Sequence, residues 1–224
     1  MDRIKLPNTP SVRRMPTYLH KLMHLRDAGE VFVSTTLVAD YMNLDPIIVR
    51  KDFALTGLAG MPGVGYKTIE LIAAIRHFLG WDRERRACLV GAGSLGSALL
   101  GYEEFTDYGM RIVAVFDSNP TKIGRFVHGH EVFDVRYMRK RVKSLKLDFA
   151  ILCLPSSCAQ MVAEELVASG VKAFWNFANV SLQMPTGIIV QREVIAGGYA
   201  LLSAKLLKEK TAPKNTLDAV ADCD

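Results

Sequence analysis

Residues 88–99 run CLVGAGSLGSAL and place Gly91, Gly93 and Gly96 in a G-x-G-x-x-G spacing. An apolar run precedes these glycines and a helix-forming run follows, which is the context that gives the spacing chemical meaning. Gly91 permits a tight turn, Gly93 lets the backbone come close to a pyrophosphate, and Gly96 lets helix and strand pack closely. Ala92, Ser94 and Leu95 complete the loop. Free N–H groups at the start of the following helix would face phosphate oxygens. Asp117 stands 21 residues after Gly96, at the end of the run VAVFD. An acid at that distance accepts hydrogen bonds from the adenosine ribose and repels a 2′-phosphate, which favours NAD(H) over NADP(H). A plain strand-end cap is the other reading of Asp117.

Hydride chemistry would also need a group that moves a proton. No Ser/His/Asp or Cys/His set is placed by spacing. His128 and His130, in RFVHGHEV, stand two apart with no third metal ligand at an evident spacing, so exposed turn histidines are the simpler reading and no metal site is expected. Cysteines fall at 88, 153, 158 and 223 without a C-x-x-C. Cys88 and Cys153 lie in apolar runs and read as reduced core residues. A nucleotide sensed rather than consumed fits this inventory, with no catalytic residue expected.

The elements that must position the loop follow from patterning. From Arg86 onward the chain alternates short apolar runs (ACLV, RIVAVF, HEVFDV, DFAILCL, KAFWNF, GIIV) with helical stretches near 95–107, 135–144 and 157–169. Continuous apolar runs are the mark of parallel strands buried on both faces. A doubly wound α/β domain over residues 82–192 is expected. A last helix, 193–210, carries Val194, Ile195, Tyr199, Leu201, Leu202, Leu206 and Leu207 on more than one face, which calls for two packing partners. The tail 211–224 is expected to be flexible.

Residues 1–81 read differently. Helical spacing runs from Ser11 to Arg26; Ser34 caps a helix over Thr35–Met42; Asp45 and Pro46 start another to about Leu55. GLAGMPGVGY, with four glycines, then leads to an amphipathic helix over Thr68–Leu79. This order suits a winged helix-turn-helix domain. Net charge agrees: of the +5 carried by 224 residues, residues 1–86 hold +4. A sequence pI near 9.0 is compatible with nucleic acid. No apolar run approaches the ~20 residues that span a bilayer. The first ten residues lack the apolar core of a signal peptide, and a cytoplasmic location is expected.

Taken in order, VRKDF…GVGY, VGAGSLGSALLGYEEF, FDSNPTKIG, LCLPSSCAQ and WNFANVSLQMP resemble the Rex redox-sensing transcriptional repressors, from about Pro10 to Ile195. The resemblance implies a homodimer with an N-terminal winged-helix DNA-binding domain, a C-terminal Rossmann domain, and a last helix swapped against the partner subunit. It implies that NADH binding releases a palindromic operator while NAD⁺ competes for the site. By position it puts the pyrophosphate loop on Gly91–Gly96, the ribose acid on Asp117 with Lys122 and Ile123 nearby, and flanking segments on Pro155 and on Asn176, Phe177 and Ala178. Tyr102 matches a tyrosine close to cofactor and domain interface. Arg50 and Lys51 match the basic pair of the recognition helix, and the wing falls on residues 57–66, including Met61, Pro62 and Tyr66. Arg13 and Arg14 are expected as further phosphate contacts; a solvated helix face is the bland reading of Arg50 and Lys51.

The chain departs from the family pattern at several of these places. Ile48 replaces a common Gln and can touch a thymine methyl but cannot make paired hydrogen bonds to adenine. Ala54-Leu55-Thr56 replace Ser-Tyr-Phe, and Met61-Pro62 replace basic residues at the wing tip. The family's switch Asp and its Arg partner fall at Val194, beside Glu193, and at His20. Two alternatives to a redox-sensing repressor follow: a Rex-derived NAD(H)-binding dimer with altered operator recognition, and a small NAD-dependent oxidoreductase.

Overall fold

The computed structural model describes residues 8–211. Helix α1 (Thr9–Asp27) opens the chain with Pro10 in its first turn. Strand β1 (Phe32–Val33) leads to α2 (Thr35–Met42), where the Ser34 hydroxyl accepts from the Leu37 N–H at 3.1 Å. Asn43, with φ 52°, ends α2, and Asp45 caps α3 (Pro46–Ala54) by accepting from the Ile47 N–H at 2.7 Å. Strand β2 (Tyr66–Lys67) pairs antiparallel with β1 and runs straight into α4 (Thr68–Leu79). Between α3 and β2 the glycine-rich decapeptide folds back on itself through a Met61–Gly65 bridge. Gly65 has φ 105°, and a Cβ there would strike the Val33 carbonyl, so the wing crosses β1 at backbone contact. Met15, Tyr18, Leu19, Leu22, Val49, Phe53, Leu71 and Ile75 form a solvent-free core.

A second core belongs to the sheet. Strands β3 (Arg85–Val90), β4 (Met110–Asp117), β5 (Phe126–Val127), β6 (His130–Asp134), β7 (Phe149–Leu152), β8 (Ala173–Asn176) and β9 (Ile189–Arg192) lie in the order β5-β6-β4-β3-β7-β8-β9. All neighbours are parallel except β5 and β6. Successive residues alternate faces. Cys88 and Val90 pack with α7 (Met138–Leu145) and α8 (Ser156–Ala168); Ala87 and Leu89 pack with α5 (Ser94–Leu100). Helix α6 (Glu104–Asp107) is one turn, and α9 (Ala196–Thr211) ends the described chain.

Three boundaries differ from the sequence expectation. The helix expected over 95–107 is two pieces, α5 and α6. Between them Gly101 sits so close to the His128 ring that a Cβ would collide with it. Residues 126–127 are an additional edge strand, joined to β6 through His128 (φ 46°) and Gly129 (φ 79°). The last helix begins at Ala196 rather than 193, because Glu193 still extends the sheet, its N–H donating to the Asn176 carbonyl at 2.9 Å. The expected tail, 212–224, lies outside the described residues.

Candidate functional site

Strand β3 is central, and the chain winds outward from it on one side through β4 and on the other through β7. Ligands of open α/β sheets bind outside the carboxyl ends of the strands at such a reversal. Gly91–Gly96, Asp117, Pro155 and Asn176–Ala178 all lie at carboxyl ends: of β3, β4, β7 and β8 respectively. The three glycines do different work. A Cβ on Gly91 would meet the Cys153 carbonyl, and one on Gly96 would meet the Gly91 carbonyl. A Cβ on Gly93 would meet nothing within 4 Å. Gly91 and Gly96 thus serve the protein's own packing, whereas Gly93 keeps clear a space the protein leaves open. No side chain caps the first turn of α5, whose N-cap is Gly93.

Asp117, 9% exposed, is tied to the loop. Its Oδ2 accepts from the Ala92 N–H at 2.9 Å and from Lys122 Nζ at 3.3 Å; its Oδ1 accepts from the Asn119 N–H at 2.8 Å. Lys122 also donates to the Ala92 carbonyl at 2.9 Å, so acid and lysine together hold Ala92 from both sides. Ile123 is half-buried, its N–H donating to the Asn119 carbonyl at 3.3 Å. Asn176 is fully buried and shapes the turn after β8: its Oδ1 accepts from the Ala178 N–H and its Nδ2 donates to the Val180 carbonyl, each at 3.0 Å. Pro155 is exposed where α8 begins. From Phe177 a row of rings leads to Tyr102: Phe177 to Trp175 at 4.9 Å, Trp175 to Phe105 at 5.8 Å, Phe105 to Tyr102 at 4.7 Å. An open cleft of about 1190 Å³ lies elsewhere, beside Arg86 and Met110 at the amino ends of β3 and β4, and takes in Tyr102 but no residue of the glycine loop.

At the other end of the chain, α2, the turn 43–45 and α3 form a helix-turn-helix. Ile48, Arg50 and Lys51 are exposed on α3, Arg13 is exposed on α1, and Met61 and Pro62 are exposed at the wing tip. Among the described residues neither Arg13, Arg50 nor Lys51 is engaged in an ion pair.

Residues 5–54 match a family model described as "Putative DNA-binding protein N-terminus", and residues 82–180 match one described as "CoA binding domain". A redox-sensing transcriptional repressor Rex of Treponema denticola is 43% identical over 210 residues, covering 94% of this chain and 100% of its own. The Rex of Bacteroides fragilis is 34% identical, with 92% and 93% covered. The chain belongs to the Rex family. Crystal structures of RSP, a Rex-family repressor, agree. RSP with β-NAD⁺ and operator DNA superposes with a TM-score of 0.83 at 29% identity, covering 92% of this chain and 95% of RSP. RSP with β-NADH gives 0.80 at 29% identity, covering 92% and 97%.

Two residues expected to face DNA in a Rex protein are committed elsewhere. Arg14 donates to both oxygens of Asp52, from Nε at 2.7 Å and from Nη2 at 2.9 Å. The Tyr18 hydroxyl donates to the same carboxylate at 2.7 Å. Burial alone would raise Asp52, but the hydrogen bonds from Arg14, Ser11 and Tyr18 outweigh it and hold the carboxyl below its usual range. The guanidinium is correspondingly raised by its bond to Asp52. Tyr66 is 8% exposed, edge-on to Phe53 at 5.4 Å, with its ring beneath Gly60. Both belong to the scaffold, because Val49, Asp52 and Phe53 form the buried face of α3 and draw partners inward.

The sequence reading passed over Asp52 and Glu104. Asp52 had a signal: it occupies an apolar face, three residues from Val49, and a buried carboxylate needs a cation. Glu104 had none. Its Oε2 accepts from the Tyr108 hydroxyl at 2.7 Å and from the Tyr102 hydroxyl at 2.8 Å, which keep it below its usual range, with His20 adding to the effect. Glu104, Asp107 and Tyr108 face His20 and His24 of α1 across a cleft of about 190 Å³. His20 Nε2 lies 3.1 Å from His24 Nε2. His128 lies in the β5–β6 turn, and no group of three or more His, Cys, Asp or Glu is placed to hold a metal ion among the described residues. Nor is any described helix long and apolar enough to cross a membrane.

Proposed function

We propose that this protein is a DNA-binding transcriptional repressor that senses the NADH/NAD⁺ balance, with NADH binding releasing operator DNA. The observation that carries this reading is the union, in one Rex-family chain, of a helix-turn-helix with exposed cations and an α/β switch-point loop whose middle glycine leaves open space. The residues fit NAD(H). Gly91 to Gly96 cradle the pyrophosphate, with Gly93 giving clearance and the α5 N–H groups giving donors. Asp117 Oδ1, with one internal donor, retains a lone pair for a ribose hydroxyl. Lys122 and Ile123 border the adenosine, and Pro155 and Phe177 wall the nicotinamide side, with buried Asn176 and Ala178 fixing the turn that holds Phe177 there. Bound nicotinamide supplies a redox state to be read; the residues here only hold it.

Domains follow as 1–81, 82–192 and a dimerisation helix to 210. Helix α9 supports a homodimer, since Tyr199, Leu201, Leu202, Leu206 and Leu207 are each at least half exposed. A second copy that takes up this helix buries them. The ring row from Phe177 to Tyr102, ending on Glu104 opposite α1, offers a route by which the nucleotide biases the DNA-binding domain. A cytoplasmic site of action accords with access to both NADH and DNA.

A second reading, retuned operator recognition, is favoured by the apolar wing, where Met61 and Val64 are 38% and 49% exposed. Binding to duplexes selected from random DNA, titrated against salt with and without NADH, tests both. The repressor reading expects a preferred palindrome, a steep salt dependence, and weaker binding on adding NADH. Equal, weak binding of random and selected duplexes sinks it.

A further inference from the structure

Ile47 and Ile48 begin the second helix of the helix-turn-helix, just after Pro46, and are 54% and 37% exposed. The core does not need them: Val49, Asp52 and Phe53 form the buried face of α3. Soluble helices usually place polar side chains where the first turn meets water. Here Asp45 fixes the backbone of that turn through the Ile47 N–H, so two branched aliphatic groups are presented outward on a held frame. Exposed Arg50 and Lys51 follow within a turn, and Arg13 is exposed on α1. An apolar pair flanked by free cations fits a polyanion that carries apolar groups of its own. Duplex DNA has one such group on its major-groove base edges, the C5-methyl of thymine. First-turn residues of a recognition helix are those that reach base edges. An isoleucine has neither donor nor acceptor and discriminates only by covering a methyl group.

We infer that Ile47 and Ile48 read thymine methyl groups, so that part of this protein's operator preference is apolar contact rather than hydrogen bonding. This rests on the DNA-binding reading above and adds the chemistry of the site recognised. Burial of one methyl corresponds to about a fourfold change in affinity.

The test uses the full-length protein and its best duplex from a random-sequence selection. Each thymine is replaced singly by uracil, which removes the methyl and nothing else. One or two thymines per half-site should each weaken binding about fourfold when changed to uracil. In I48Q, and separately in I47N, thymine and uracil should become equivalent at the position that isoleucine covers. Indifference of the unmodified protein to uracil at every thymine overturns the inference while leaving the repressor reading intact. So does retention of the same uracil effects by both variants. Absence of any preferred duplex overturns both readings. Because the decisive comparison alters only DNA, a variant that fails to fold does not remove it.

Discussion

Replacing Arg14 by methionine separates a scaffold cation from a DNA contact. In the native fold Asp52 is 3% exposed at its side chain and takes bonds of 2.7 Å and 2.9 Å from Arg14. In R14M a buried carboxylate keeps only hydroxyl donors, those of Tyr18 and Ser11, and no cation. Removing one partner of a buried pair costs roughly 3–5 kcal/mol. Arg14 is itself 26% exposed, which places the loss near the lower limit, about 3 kcal/mol. For a chain of this size that lowers Tm by roughly 6–12 °C. The pH dependence has a definite sign. Native Asp52 is held low, so its contribution is present above the unfolded carboxyl range and lost as pH falls through the native value. In R14M burial is no longer outweighed, the carboxyl is raised, and its penalty grows as pH rises and disappears on acidification. The gap in Tm between native protein and R14M should therefore be widest near neutrality and shrink towards about pH 3. Melting curves at several pH values measure this, with R13M as the comparison. R13M should melt like the native protein, yet reduce the slope of log affinity for DNA against log salt by about 1.8, roughly 0.9 for each subunit of the bound dimer. An R14M protein that melts within a degree or two of native at pH 7, with a slope reduced by about 1.8, would falsify the scaffold role.

Other expectations follow from the site. G91A should destabilise the fold strongly, since Gly91 has φ 98° and faces the Cys153 carbonyl, whereas G93A should melt near native while losing at least tenfold in NADH affinity by calorimetry. Tight NADH binding by G93A would show that the open space is not the pyrophosphate's. L206E, on a face of α9 that is half exposed in the single chain, should shift the protein from dimer to monomer by sedimentation; an unchanged dimer would point to a different interface. E104Q, which takes the charged acceptor from Tyr102 and Tyr108, should shrink the loss of DNA affinity caused by NADH without changing NADH affinity. An undiminished NADH effect in E104Q would remove Glu104 from the coupling route.

Much of the architecture was legible because its signals are local. Ser34 before α2, Asp45-Pro46 before α3, and the apolar runs of β3, β4 and β7 each act on backbone within a few residues. The same holds for the glycine loop, whose spacing and following acid lie within one strand–helix–strand unit. What sequence alone could not settle were choices among partners distant along the chain. Arg13 and Arg14 are adjacent and chemically alike; only the packing of α1 on α3, which brings Asp52 from 38 residues away, makes one a scaffold residue and leaves the other in solvent. Tyr66 was taken inward by the Phe53 ring, and the helix expected over 95–107 was broken where Gly101 passes under His128. Asp117 was identified by its distance from Gly96, yet its sharing between Ala92 and Lys122 depends on the closure of strand ends. Local propensity thus determined which elements form, while the low tolerance of a packed interior for unpaired charge and unfilled space decided which side chains remained free to meet a ligand.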